Sequence, residues 1–163
     1  MKFKLAVLDY DGTIVGKSGI PTERVKAAIK KTVALGVKVS ISTGRSAFSL
    51  ISLIKELHLD VPHVFLAGAL VFNPIKDVVL LEDPIEKSAV LLVDEFAGNN
   101  GIYLEVSTQD KLYYNLAEDF FVNRRKRISN EPCEIVNVQK LLETDKVLNM
   151  RFMFRNALNI KAL

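Results

Sequence analysis

Cysteine, tryptophan and histidine are almost absent from this 163-residue chain, which has one cysteine (Cys133), two histidines and no tryptophan. A lone thiol closes no internal disulfide. That excludes a disulfide-stapled scaffold and leads us to expect a reducing, cytoplasmic compartment. His58 and His63 have no companions at metal-ligand spacing, and no base motif accompanies Cys133, so a histidine–cysteine metal centre and a catalytic thiol are not expected. Excess charge of one sign is also lacking. A net +3 is too small to argue for nucleic acid as a partner. No stretch reaches the ~18 consecutive apolar residues of a membrane helix, and the N-terminus reads as a strand, not as a signal peptide. What is present is ordinary globular material: 49% hydrophobic and 25% charged residues, enough for one buried core and too apolar for a disordered chain.

Against that background one run stands out. Phe3 to Leu8 is an apolar, strand-like segment, and it leads directly into Asp9-Tyr10-Asp11-Gly12-Thr13. Strand alternation puts the two carboxylates on the same side, where like charges resist joint ionisation unless a cation lies between them. The pair therefore asks for a metal ion, and Gly12 lets the backbone approach a ligand closely. The structural alternative is an Asx-type turn in which the Asp side chains cap backbone amides. A second constellation follows. Val37–Ser42 reads as another buried strand and ends in Thr43-Gly44-Arg45, with a helix opening near Ser46. A hydroxyl and free N–H groups at such a place suit an anion. Arg45 fits equally well as a phosphate partner and as an ordinary surface or interface ion pair.

The remaining pattern is βαβα. Strand Phe3–Asp9 is followed by a glycine-containing loop, then a helix after Thr22 with Val25, Ala28, Ile29, Thr32 and Val33 on one stripe and Gly36 beyond its end. Strand Val37–Ser42 precedes a second helix expected to bury Phe48, Ile51, Ile54 and Leu57. Val64–Ala67 is a third strand, and Ala69–Phe72 and Asp77–Leu81 form a hairpin turned at Asn73-Pro74. Alternating strands and helices predict a parallel sheet with right-handed crossovers and ligands outside the strands' carboxyl ends, where Asp9, Asp11 and Thr43 fall. A boundary is expected near Asp83-Pro84, giving domains 1–83 and 84–163. The second is an α+β unit with helix Glu86–Ala97, strands Gly101–Ser107 and Lys111–Leu116, a polar helix, a short helix near Val138–Glu143, a strand Lys146–Phe154 and a helix from about Arg155. The run Arg124-Arg125-Lys126-Arg127 reads as a solvated helix face balanced by Glu118 and Asp119.

Asp9-Tyr10-Asp11-Gly12-Thr13 followed one βα unit later by Thr43-Gly44-Arg45 resembles the haloacid dehalogenase-like (HAD) phosphohydrolases, in their Cof-type branch. The resemblance implies an α/β, Rossmann-like parallel-sheet core carrying an α+β cap insertion, both partial in this chain. It implies Mg²⁺-dependent hydrolysis of a small phosphate monoester, such as a sugar phosphate, through an aspartyl phosphate. Asp9 would be the nucleophile and Asp11 the general acid and base. Mg²⁺ would take an oxygen of Asp9 and the carbonyl of Asp11. Thr43 and the Gly44 amide, with the Gly12 backbone nearby, would bind the phosphoryl group.

Two departures from the family pattern matter. The turn after strand three reads Ala67-Gly68-Ala69 where Asn-Gly-Ala is usual, which removes an amide donor. The family's lysine and second acidic pair are expected after the cap, and the chain ends at Leu163 within what resembles that cap. A fragment, a split enzyme and a degenerate relative all fit, with the fragment favoured. The expectations are weak Mg²⁺ affinity, hydrolysis near background, strand one as an open sheet edge, and a homo-oligomer or a complementing chain as partner. The competing reading is a non-catalytic phosphate-binding or assembly module. A response-regulator-like phospho-acceptor is disfavoured because its acidic pair precedes the end of strand one.

Overall fold

The computed structural model describes residues 3–116 and 133–154, which divide into two compact units, Met1–Asp83 and Pro84–Leu163. The polar helix with the Arg124–Arg127 run and the helix expected from Arg155 lie outside the described residues.

The first unit runs β1 (Leu5–Asp9), α1 (Glu23–Ala34), β2 (Lys38–Ser42), α2 (Ile51–Glu56), β3 (His63–Phe65), a 3₁₀ turn (Leu66–Gly68), β4 (Leu70–Asn73) and β5 (Val78–Glu82). The five strands form one sheet in sequence order. β1, β2 and β3 are parallel, and β3, β4 and β5 are antiparallel, with an irregularity between Val71 and Phe72. Leu5 lies opposite Lys38 and Asp9 opposite Ser42, which sets the carboxyl ends of β1 and β2 side by side.

Local chemistry explains the element ends. Thr22 caps α1 by accepting the Val25 N–H at 3.3 Å, which satisfies one of the orphan donors of the first turn. Gly36 ends it at φ 82°, a left-handed conformation that only glycine adopts without a steric penalty. Asn73 makes the hairpin turn itself, its Oδ1 accepting the N–H groups of Ile75 and Lys76.

Burial is one-sided. Ile29, Val39, Ile41, Ile54, Leu57, Phe65 and Leu70 are buried, whereas Leu5 and Val7 of β1 are more than half exposed. The first strand is an edge strand, as expected. Its outer face, with Ser40 and Val64, lines an open groove of about 500 Å³. Two details of the helices differ from expectation. α2 begins only at Ile51, after a turn in which the Leu50 N–H bonds the Ala47 carbonyl, and this leaves Phe48 exposed. On α1 only Ile29 is fully buried, and Ala28 faces solvent, so the apolar stripe is narrower than its spacing suggests.

The second unit runs α3 (Lys87–Asn99), β6 (Tyr103–Ser107), β7 (Leu112–Tyr114), β8 (Cys133–Ile135), α4 (Val138–Thr144) and β9 (Asn149–Met153). Its sheet has the order β8-β7-β6-β9, antiparallel except for the β7–β8 pair. The short strand β8 was not expected from the sequence. α3 and α4 pack Val90, Ala97, Leu141 and Leu142 onto Leu104, Val106 and Tyr113. The alternate residues of β6, namely Tyr103, Glu105 and Ser107, are also buried, so this strand is covered on both sides despite its carboxylate.

Candidate functional site

Two loops leave the carboxyl ends of β1 and β2, and the structure brings them together. In the first, Asp9 ends the strand and the chain folds back at once. The Gly12 N–H donates to the Val15 carbonyl at 2.8 Å, and the Val15 N–H donates to the Tyr10 carbonyl at 2.9 Å. Tyr10, Ile14 and Val15 bury their side chains, which holds the acidic residues outward in a closed turn. Gly12 sits at φ 84°, as the turn requires, and its amide is committed inside that turn. The structure thus gives Gly12 a turn-forming task, and its amide is not directed to an anion.

In the second loop Thr43 is buried at 5% exposure, and both of its backbone groups are used. Its N–H donates to the Val64 carbonyl at 2.9 Å, and its carbonyl accepts from Ala67 at 3.1 Å. The Thr43 Oγ1 accepts the Arg45 N–H at 3.1 Å, which directs its own hydroxyl proton elsewhere, toward an acceptor that no described residue provides. The Gly44 N–H likewise has no acceptor among the described residues. A buried hydroxyl and an adjacent open amide are two donors of the kind an anion can use.

The carboxylates have different surroundings. No described side chain pairs with Asp9. Asp11 is held by Arg45 through two parallel bonds, Nε to Oδ2 at 2.9 Å and Nη2 to Oδ1 at 2.7 Å. The same guanidinium lies 4.7 Å from the centroid of the Tyr10 ring, a cation–π distance. Burial pushes the Tyr10 phenol above its ordinary range, with Arg45 opposing and Asp11 reinforcing the shift, so Tyr10 remains neutral near pH 7 and serves as a platform. The ion-pair reading of Arg45 is seen here with Asp11 as the partner.

Sequence reasoning did not foresee three parts of this arrangement: the Asp11–Arg45 clamp, the Tyr10 platform and the Leu66-Ala67 tethers. Alternation could have signalled Tyr10, because it lies on the opposite side from Asp9 and Asp11. The tethers, Leu66 N–H to the Arg45 carbonyl at 3.0 Å and Ala67 N–H to Thr43, depend on left-handed φ values of 51° and 58° at non-glycine residues, which no local pattern announces. Among the described residues no group of three or more His, Cys, Asp or Glu side chains is placed to hold a metal. For a hard cation the available donors are all oxygens: the unpaired Asp9 carboxylate and the main-chain carbonyl of Asp11, to which no described hydrogen bond runs. Such a partial set fits an ion that keeps most of its waters.

Comparison with known proteins identifies the family and the fold. A 5-amino-6-(5-phospho-D-ribitylamino)uracil phosphatase from Bacillus subtilis is 28% identical over 109 residues, 67% of this chain and 37% of that protein. A haloacid dehalogenase-like hydrolase from B. subtilis superposes with a TM-score of 0.81 at 18% identity, over 98% of this chain and 65% of the other. A HAD subclass IIB sugar phosphatase does so with a TM-score of 0.80 at 18% identity, over 98% of this chain and 61% of the other. The chain thus spans less than two thirds of the length of these relatives. The family model for haloacid dehalogenase-like hydrolases matches residues 6–163, nearly the whole sequence, and with it the chain belongs to the haloacid dehalogenase-like hydrolase family.

Proposed function

We infer that this chain carries the phosphoryl-binding half of a Mg²⁺-dependent phosphatase acting on small phosphate monoesters, sugar phosphates or similar metabolites. One observation carries the reading. The unpaired, exposed Asp9 carboxylate ends β1 beside Ser42 of β2, and the next residue there, Thr43, offers a buried hydroxyl. A nucleophile and an anion cradle on adjacent strand ends are what an in-line attack on phosphorus requires.

In this reading residues 1–83 are the core part and 84–163 the cap part. An Asp9 oxygen forms a bond to phosphorus as the ester oxygen leaves with its electron pair, and Asp11 supplies that oxygen with a proton. Asp11 then takes a proton from water as the water displaces the Asp9 carboxylate from phosphorus, which releases inorganic phosphate. Thr43 and Gly44 donate to the equatorial oxygens, where charge is spread in the transition state. Mg²⁺, when bound at Asp9 and the Asp11 carbonyl, offsets repulsion between carboxylate and phosphate. The single cysteine favours a cytoplasmic site of action, and no described helix is long and apolar enough to cross a membrane. Names of relatives support the substrate class, one being a phosphatase for a phosphorylated ribitylaminouracil and another a sugar phosphatase.

Because the described donors are few, turnover by the 163-residue chain alone is expected to stay near background, and the test does not depend on it. Beryllofluoride attaches to an aspartate oxygen as an acyl-phosphate mimic. ¹⁹F NMR should show Mg²⁺-dependent uptake by the chain and none by Asp9→Asn. Failure of the wild-type chain to take it up, or uptake by Asp9→Asn, would remove Asp9 as nucleophile. In that case the remaining reading is the second one, a non-catalytic phosphate-binding or assembly module, which needs only Thr43 and Gly44.

A further inference from the structure

We propose that Arg45 is a shared cation that switches Asp11. With no anion bound, its guanidinium clamps the Asp11 carboxylate; an arriving phosphoryl dianion draws it away and leaves Asp11 to face the leaving oxygen. This rests on the phosphate-site reading above and adds to it a positioning residue that couples ligand arrival to the acid/base group.

Three observations carry it. The first is connectivity. Arg45 is bonded to both loops of the site, its backbone N–H to the Thr43 hydroxyl oxygen and its side chain to Asp11. No other described residue makes both links. The second is the geometry of the clamp. Two parallel N–H donors at 2.7 and 2.9 Å occupy both Asp11 oxygens, and a carboxyl group that carries a proton for a leaving oxygen loses the charge that makes both bonds strong. The paired arrangement therefore favours the ionised, resting form of Asp11, and proton delivery goes with its opening. The third is exposure. The Asp11 side chain is 55% exposed and that of Arg45 20%, so the carboxylate can be solvated when released, while the cation stays on the Tyr10 ring and within the site. Exposed ion pairs are weak, which makes the clamp easy to exchange for a more highly charged partner. A guanidinium suits that exchange because its planar fork matches phosphate as well as carboxylate.

The test is a double-mutant cycle read by calorimetry, with inorganic phosphate titrated into the chain in Mg²⁺ buffer. Circular dichroism melts confirm that each variant folds. Asp11→Asn removes the competitor and should tighten phosphate binding about tenfold, the worth of one charge-assisted hydrogen bond. Arg45→Gln should weaken binding by a similar factor. In Arg45→Gln/Asp11→Asn the gain from Asp11→Asn should vanish. If the gain persists without Arg45, it comes from deleting a negative charge, and the switch is overturned. If Arg45→Gln binds phosphate like the wild type, the switch is overturned while the phosphate site stands, provided Thr43→Val still loses binding. Absence of phosphate binding in every variant overturns both the switch and the phosphate-site reading.

Discussion

The imidazole Nδ1 of His63 accepts the backbone N–H of Ile41 at 3.0 Å, so a side chain of β3 occupies the place of a ladder bond to β2. The two strands pair directly only at Ser42 and Val64, and two side-chain bonds extend the junction: this one, and Ser40 Oγ to the Pro62 carbonyl at 2.7 Å. With Nδ1 accepting, Nε2 carries the proton and donates to the Leu59 carbonyl at 3.1 Å. Burial pushes His63 below its ordinary range, and the bond to Leu59 only partly opposes that. The folded state therefore favours the neutral ring. Its contribution is complete above the unfolded value of about 6.5 and is lost as pH falls toward the lower folded value. Thermal melts should drop between pH 7 and pH 5. His63→Leu should flatten that slope while costing about 1–3 kcal/mol for the orphaned Ile41 N–H.

Glu105 is fully buried in β6, where it is paired with Arg151 of β9 (Nη2 to Oε1, 2.7 Å) and accepts the Tyr114 hydroxyl at 3.3 Å. Removing this cation takes one charge-assisted bond from a buried carboxylate. Because Arg151 is 43% exposed, water compensates in part, and Arg151→Ala should cost about 2–3 kcal/mol, below the range for fully buried pairs. Adding Glu105→Gln should recover much of the loss. Urea unfolding of the single and double variants checks this, and a loss that Glu105→Gln leaves unchanged would point to packing of the arginine stem instead.

Ala67 holds φ 58° and ψ 29° in the turn that ties β3 to the Thr43 loop. A left-handed alanine costs roughly 1–2 kcal/mol, a penalty that asparagine largely avoids. Ala67 is exposed, so a longer side chain has room. Ala67→Asn should stabilise the chain by about 0.5–1 kcal/mol, measured as a higher denaturant midpoint at unchanged slope.

Thr43 separates shape from chemistry at the anion cradle. Thr43→Ser keeps the hydroxyl and should bind phosphate within a few-fold of wild type, whereas Thr43→Val keeps the volume and should lose about tenfold or more. Thr43→Val also leaves the Arg45 N–H without its acceptor, so its melting temperature should fall slightly. Equal phosphate binding by Thr43→Val would remove the hydroxyl from the site.

Much of the first unit was legible because its signals are local. Apolar runs ending in Asp9 and Thr43, Thr22 ahead of a helix, Gly36 after it and Asn73-Pro74 at a hairpin each bias a few neighbouring residues. Each element appears in its expected place, with ends shifted by a few residues. The late start of α2 escaped because Phe48 fits a helical apolar face by spacing, although the chain makes a turn there and exposes it. β8 escaped because three residues carry too little periodicity to stand out; its pairing with β7 defines it.

The sequence alone determined which chemistry-bearing residues occupy strand ends: Asp9, Asp11 and Thr43 follow directly from where apolar runs stop and glycine-containing turns begin. It also determined the family, because that spacing recurs there. Tertiary structure decided who pairs with whom. Arg45 lies 34 residues from Asp11 and meets it only because β1 and β2 are neighbours in register. Gly12, which sequence assigns to a ligand, spends its amide on Val15 once the turn closes. The exposure of Leu5 and Val7, by contrast, was already expected from the sequence, which placed strand one at an open sheet edge. Local propensities act over a few bonds and survive in any context. Ion pairs, amide partners and burial depend on segments distant in the chain, and only the packed arrangement specifies those.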